Sequence, residues 1–368
     1  MTRGLSLWLD WLRVLATLVV VFSHLAYPRF TETRYAFMRD WNLGSDAVIV
    51  FFVISGLVIA FAAERDGSAG RFAFNRTTRL FSVLAPALVL TLAFDAMGVR
   101  IDPASYPQGF YNPHPTGEFL IRGLTFSNEW ALPGALRLGT NGPLWSLSYE
   151  AAYYLLFGVA MFLRGITRLI VLVTICLVVG LNILLLAPAW LMGVLVWRWI
   201  AAGGATRLTR GRAWAMALMG PAAYVLCLAA GIPDLLRAVT AATLDVPDAR
   251  LVLRFSDEFI WNMMIGAFTA CHIVGMAVLA PARCAERFWL RWAAGASFSI
   301  YVTHYPTLHL VDAMLPDQAR YDGVLFAVSL VVGLAFAAVF ERPIAHFRRV
   351  LMRLHTERTR PQTVDQTS

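Results

Sequence analysis

The sequence predicts an all-α fold: a polytopic integral membrane helix bundle of about ten transmembrane helices, with the N- and C-termini cytoplasmic. Three observations carry that prediction. Of 368 residues, 58% are hydrophobic and only 15% charged, where a soluble domain carries about 25% charged residues. Apolar runs of bilayer-spanning length, roughly 17–25 residues in a helix, recur along the whole chain. Arginine alternates in density from one connection to the next, the bias that sets membrane orientation.

Taken in order, the expected spans fall at about 8–28, 44–63, 80–99, 144–163, 168–187, 189–202, 213–233, 259–280, 294–314 and 324–341. The first lacks a small-x-small exit site and carries Arg13 and His24 inside it, so it reads as a transmembrane helix rather than a cleaved signal. The sixth is short and reads as tilted or half-inserted. No internal repeat is evident. The expected division is a membrane domain over 1–345 and a basic, then polar, cytoplasmic tail over 346–368, expected to be disordered.

The net charge is +8 and all 31 basic residues are arginine. In a membrane protein such a surplus marks cytoplasmic loops rather than nucleic-acid binding. Arg65, Arg71, Arg76 and Arg79, then Arg164 and Arg168, then Arg207, Arg210 and Arg212, then Arg283, Arg287 and Arg291, and finally the tail fall on one side. The alternate connections are richer in acid, with Asp234, Asp245, Asp248, Asp257 and Glu258, then Asp312, Asp317 and Asp322. Two long connections, 100–143 and 234–258, therefore lie outside. The aromatics of the first (Tyr106, Phe110, Tyr111, His114, Trp130) suit either a lid or acceptor platform or a belt at headgroup level. Cys176, Cys227, Cys271 and Cys284 have no metal or CxxC spacing and read as small buried hydrophobes. No metal is expected. The absence of lysine fits a GC-rich genome, and the expected location is a bacterial cell (inner) membrane.

Charged groups inside the spans are the candidate chemistry, because a cation at the centre of a membrane helix costs roughly 2.5–3.5 kcal/mol on insertion scales. Arg13 and His24 are eleven residues apart, about three full turns, so they share one helix face ~16 Å apart along the axis. With the first helix running outward, His24 lies near its outer end. Asp46 (in GSDAVIVFFVISG) and Glu150 (in PLWSLSYE) begin spans that enter from outside. All three are expected at one depth, where a carboxylate would orient the imidazole as a general base; each alone is also what an interfacial histidine or a helix-start acid looks like. Arg76 and Arg79, at i, i+3 spacing, present two guanidinium forks suited to phosphate, with Arg13 above them and Glu341 able to pair with the cluster. Trp145, Ser146, Ser148 and His304 are expected substrate contacts, His304 equally a histidine bonded within a polar core. His272 and His309 read as structural, and Asn182 as a tie between helices.

These motifs together resemble the membrane-bound acyltransferase 3 family, which includes O-antigen acetylases and nodulation-factor and macrolide acyltransferases. LDWLRVLATLVVVFSH resembles its first-helix arginine-X10-histidine, GSDAVIVFFVISGLVIA its GVDLFFVLSGFLI, and FNRTTRLFSVLAP its RRxxRIxPxY. PLWSLSYEAAYYLLF resembles WSLSVEEQFYL, SFSIYVTHYP resembles SYSLYLxHxP, and FERPIAHFRR the closing ERP segment. Asn75, Ala151 and Ser82 depart from the family pattern.

The resemblance implies a membrane O-acyltransferase that moves an acyl group, commonly acetyl, from cytoplasmic acyl-CoA (acetyl-CoA as co-substrate) to a hydroxyl of a carbohydrate or small-molecule acceptor, with a cell-surface glycan the first choice. By position, Arg13 and His24 are the key pair and Arg76 and Arg79 handle the donor's phosphates. The rival expectation is a transporter or flippase of a polar or glycan substrate, whose polar residues would line a permeation path. No nucleic acid partner is expected.

Overall fold

The computed structural model describes residues 1–108, 110–280, 287–315 and 321–350, and among these every regular element is helical. Arg283, Cys284, Asp317 and the tail from 351 lie outside the described residues. Ten long helices follow one another: α1 (Arg3–Leu25), α2 (Leu43–Asp66), α3 (Ala69–Ile101), α4 (Trp145–Phe162), α5 (Gly165–Val179), α6 (Leu181–Ala201), α7 (Arg210–Ala229), α8 (Phe259–Leu279), α9 (Ser297–Met314) and α10 (Asp322–Phe336). Seven helices among the described residues are long and apolar enough to cross a membrane: α1, α2, α3, α6, α7, α8 with the turns preceding it, and α10 with the turns that follow it. The chain is thus an all-α, multi-pass membrane protein. The other three, α4, α5 and α9, fall where the remaining apolar runs were expected.

The short span is the fifth, not the sixth. Gly180, at φ +87°, ends α5 after 15 residues and leaves α6 its full 21. Glycine takes a positive φ without the Cβ penalty of other residues, and the apolar run that continues across it hid the break. Asn182 consequently sits in the first turn of α6, where its carbonyl accepts from Ser256 Oγ at 2.6 Å.

Small residues set how closely the helices cross. A Cβ added at Gly56 of α2 would lie 2.0 Å from the Trp190 carbonyl oxygen, and one at Gly193 of α6 would lie 1.9 Å from that of Val53. The two backbones touch because neither residue has a side chain, the usual arrangement at membrane helix interfaces. Gly56→Leu should therefore abolish the folded protein, read as loss of the monodisperse peak on size exclusion in detergent. Gly70→Ala, where an added Cβ meets nothing within 4 Å, should leave that peak unchanged.

Helix α9 is the hub, with every residue from 299 to 310 buried. Protein rather than lipid surrounds it, so it tolerates the Thr, His and Tyr content that holds its hydropathy down. Thr303 and Thr307 return their hydroxyls to the carbonyls of Ser299 and Thr303 at 2.8 and 2.7 Å. Pro306 has no N–H to give to the Val302 carbonyl, and Asn141 Nδ2 donates there instead at 2.8 Å. The same repair occurs in α7: Pro221 frees the Ala217 carbonyl, which accepts from His272 Nδ1 at 2.7 Å, while His272 Nε2 accepts from Trp8 Nε1 at 3.0 Å. His272 is thus used in holding backbone together, as a broken helix within a bilayer requires.

The connection between α3 and α4 is packed into the bundle. Thr140 donates its N–H and hydroxyl to Asp95 of α3 at 3.0 and 2.5 Å, and Asn141 reaches Thr91 at 2.9 Å. The expected tail begins later than 346, since residues 344–350 are helical and Arg348 bonds to Thr78 Oγ1 and the Asn75 carbonyl at 2.8 and 2.6 Å. Cys176, Cys227 and Cys271 are free and half-buried, more exposed than expected.

Candidate active site

One face of α2 organises the interior. Val48, Phe51, Phe52, Ser55, Val58 and Ile59 recur at the i, i+3, i+4, i+7 spacing of a single stripe, and all line a central cavity of about 140 Å³. Arg13, Arg76 and Arg79 line the same cavity, together with Ser146, Glu150 and Tyr154 of α4 and Tyr301 of α9. Two further cavities share lining residues with it. Toward the start of α1, a space of about 130 Å³ shares Arg13, Val58 and Arg76 with it and reaches Met1, Asp10 and Arg65. Toward the end of α1, a space of about 330 Å³ shares Val48 and Tyr301 with it and is lined by His24, Tyr27 and Trp145. Three adjoining cavities therefore run along α1 from below Arg13 to His24.

At the lower end, Arg13 Nη1 pairs with Asp10 at 3.5 Å and Arg79 Nη2 with Glu341 at 3.4 Å. Glu341 spends its second oxygen on the N–H and hydroxyl of Ser299 at 3.1 and 2.7 Å. Arg76 Nε is buried with no hydrogen-bond partner among the described residues, although its side chain lines both lower cavities. Glu150 accepts from Ser55 Oγ and Tyr154 OH, each at 2.5 Å.

At the upper end, His24 Nδ1 lies 2.9 Å from the Val20 carbonyl oxygen, and His304 Nδ1 lies 3.1 and 2.7 Å from those of Ile300 and Tyr301. A carbonyl can only accept, so both Nδ1 atoms carry a proton. His304 Nε2 is then an acceptor, and it lies 3.2 Å from His24 Nδ1. This leaves His24 Nε2 with a lone pair, on a half-buried ring that lines the upper cavity.

The expected carboxylate partners of His24 are not there. Asp46 accepts from Tyr224 OH at 2.7 Å and Trp261 Nε1 at 3.2 Å, and lines a separate apolar cleft with Trp8 and His272. The reason is helical phase: Asp46 precedes Val48 by two residues, about 200° around α2, so it points away from the stripe. Glu150 does face the interior, but at the arginines' cavity rather than beside His24. Of the other expected contacts, Trp145 lines the upper cavity and stacks on Phe255 with centroids 4.6 Å apart. Ser146 Oγ meets Tyr301 OH at 2.6 Å where the cavities adjoin. Ser148 is turned away, its hydroxyl donating to the Phe126 carbonyl at 2.5 Å. His304 meets His24 directly.

Sequence reasoning did not find Ser55, Tyr154 or Tyr301, nor the four arginines of the upper cavity: Arg39, Arg137, Arg250 and Arg254. The signal for Ser55 was a polar residue on an apolar stripe. For the arginines it was their presence in connections judged poor in arginine. Among the described residues, no three His, Cys, Asp or Glu side chains converge closely enough to hold a metal ion.

A family model described as an acyltransferase domain matches residues 6–342. An acyltransferase of Streptomyces mycarofaciens, MdmB, is 30% identical over 149 residues, 40% of this chain and 36% of that protein. An O-acetyl transferase of Shigella phage Sf6 is 30% identical over 158 residues, 41% of this chain and 45% of that protein. The chain therefore aligns with less than half the length of either relative. No solved structure matches it significantly.

Proposed function

We propose, on the premise that the chain belongs to the acyltransferase 3 family matched over residues 6–342, that it is a membrane-embedded O-acyltransferase of a bacterial inner membrane. It takes an acyl group, acetyl first among candidates, from acyl-CoA on the cytoplasmic side and passes it to a hydroxyl of a glycan or small molecule on the far side. The observation that carries this reading is the row of adjoining cavities between Arg13 and His24.

In this reading Arg76 and Arg79, with Arg13 above them, hold the donor's phosphates. The pantetheine arm, on the order of 15–20 Å when extended by analogy with chain reach, lies along the central cavity past Ser55, Glu150 and Tyr154. That length matches the ~16 Å axial offset of Arg13 and His24. The thioester carbonyl then meets His24 beyond Tyr301. His24 Nε2 removes the acceptor's hydroxyl proton as its oxygen attacks the carbonyl carbon; the carbon–sulfur bond breaks, and the thiolate takes a proton from the imidazolium. His304 keeps the Nδ1 proton of His24 in place and shares its charge. Being neutral, it supports an imidazolium less than a carboxylate would, so His304→Ala should lower turnover about tenfold, less than the roughly 10²–10⁴-fold contributed by a general base itself, and leave the donor's KM unchanged. Direct acyl transfer is the simpler route; a radiolabelled acyl group retained on His24 after denaturation would show that the imidazole itself is acylated.

The test is transfer from radiolabelled acetyl-CoA by purified protein in detergent to a panel of glycosides. Label should move to the acceptor in proportion to thioester consumed. Substrate movement across proteoliposomes without any thioester requirement would instead establish a transporter.

A further inference from the structure

The upper cavity is strongly cationic. Arg39, Arg137, Arg250 and Arg254 line it beside His24, and no Asp or Glu does. Its volume of about 330 Å³ falls within the range of small-molecule sites, about 300–1,000 Å³. Carboxylates answer two of these arginines: Asp257 lies 3.3 Å from Arg250, and Glu129 3.2 Å from Arg254. Arg39 is different. It donates to Ser23 Oγ at 3.2 Å and Tyr27 OH at 3.0 Å, and its guanidinium lies 4.0 Å from the centre of the Tyr27 ring. All of those partners are neutral, and among the described residues no carboxylate pairs with it. Burial also pushes the Glu129 carboxyl up to about 7, against the pull of Arg254, Arg137 and Arg122, so near neutral pH it offsets the arginines only in part.

Four guanidinium groups around one cavity with no carboxylate in its lining, Arg39 among them bonded only to neutral groups, form a site for an anion. We propose that the acceptor is anionic: a hydroxyl compound whose carboxylate or phosphate is bound by Arg39 and its neighbours, so that the nucleophilic oxygen comes to His24 Nε2. This rests on the acyl-transfer reading for the hydroxyl's fate, but the anion preference is separable from it. A neutral sugar can offer the guanidinium groups only hydroxyl acceptors, whereas a carboxylate or phosphate adds the opposite charge and a bidentate fit.

The experiment compares methyl glucoside, methyl glucuronide and methyl glucoside 6-phosphate as acceptors from acetyl-CoA, and measures their binding to the same detergent-solubilised protein by calorimetry. At least one anionic glycoside should exceed the neutral one by tenfold or more in kcat/KM and in affinity, and which one does so identifies carboxylate or phosphate as the group read. Arg39→Gln should raise KM for the anionic acceptor about tenfold and reduce the ratio of anionic to neutral kcat/KM by a similar factor. Arg39→Lys, which keeps the charge, should restore part of the difference. Equal binding of all three glycosides overturns the proposal. So does an Arg39→Gln variant that lowers kcat on charged and neutral acceptors alike, because the arginines would then serve the transition-state oxyanion. Selective anion binding without transfer to any acceptor would leave the anion site standing and sink acyl transfer.

Discussion

His24→Ala should lower kcat for acyl transfer by about 10²–10⁴-fold, the span of a positioned general base, with little change in thermal stability. The two halves of that expectation have separate grounds. His24 Nδ1 bonds to the carbonyl four residues before it, an acceptor already served by the helix, so removing the ring orphans no buried group there. The ring lines the upper cavity and is half-buried, so alanine enlarges a space that already exists rather than opening a void in packed core. His304 Nε2 loses its donor in the alanine variant, a cost that the amide N–H of His24→Gln can offset. Turnover and melting temperature measured on one preparation check both halves. His24→Gln sharpens the result, because it offers an amide near the same place but no base: it should be as inactive as alanine. Activity within a few-fold of the parent in either variant would remove His24 from the proton transfer.

The pairing of Arg13 with His24 was legible in the sequence because it depends on one helix, and spacing along a helix fixes which residues share a face. Most boundaries were legible too, since apolar run length and arginine placement are local properties. What failed was whatever depends on how one helix is turned against another. Asp46 and Val48 are two residues apart, yet one faces a cleft against α7 and α8 and the other the central cavity. Azimuth was not readable, and relative depth only in part, since Glu150 lies at the arginines' cavity rather than beside His24. Gly180 was lost for a different reason: a single positive-φ glycine in an unbroken apolar run leaves no mark in hydropathy. The upper arginines were scattered over residues 39, 137, 250 and 254, and only the fold gathers them around His24. His304, which the sequence left equally a histidine of a polar core, became part of the site through α9, where every residue from 299 to 310 is buried.

Replacing Arg76 and Arg79 together with alanine should raise the apparent KM for acyl-CoA by about 10²-fold or more, while kcat at saturating donor changes far less. Each guanidinium that bonds a phosphate contributes about 1.5–3 kcal/mol, and every 1.4 kcal/mol is tenfold in affinity. The two residues are not equivalent. Arg79 already answers the buried Glu341 at 3.4 Å, so its removal strands a carboxylate and costs stability as well as affinity. Arg76 forms no ion pair among the described residues and keeps a buried Nε without a partner, which leaves it free to bind the donor; Arg76→Ala alone should therefore give the cleaner KM effect, about tenfold. Acetyl-pantetheine separates phosphate binding from general damage, because it carries the thioester and the arm but none of the phosphates on the nucleotide. On that donor the parent and Arg76→Ala should have equal kcat/KM. A variant impaired equally on both donors would mean that Arg76 supports the cavity wall rather than the phosphates. Equal KM values on acyl-CoA, with turnover alone reduced, would move the donor's anionic end to some other part of the protein. Rising ionic strength should weaken acyl-CoA binding to the parent more than to Arg76→Ala, since the screened charge is the one removed.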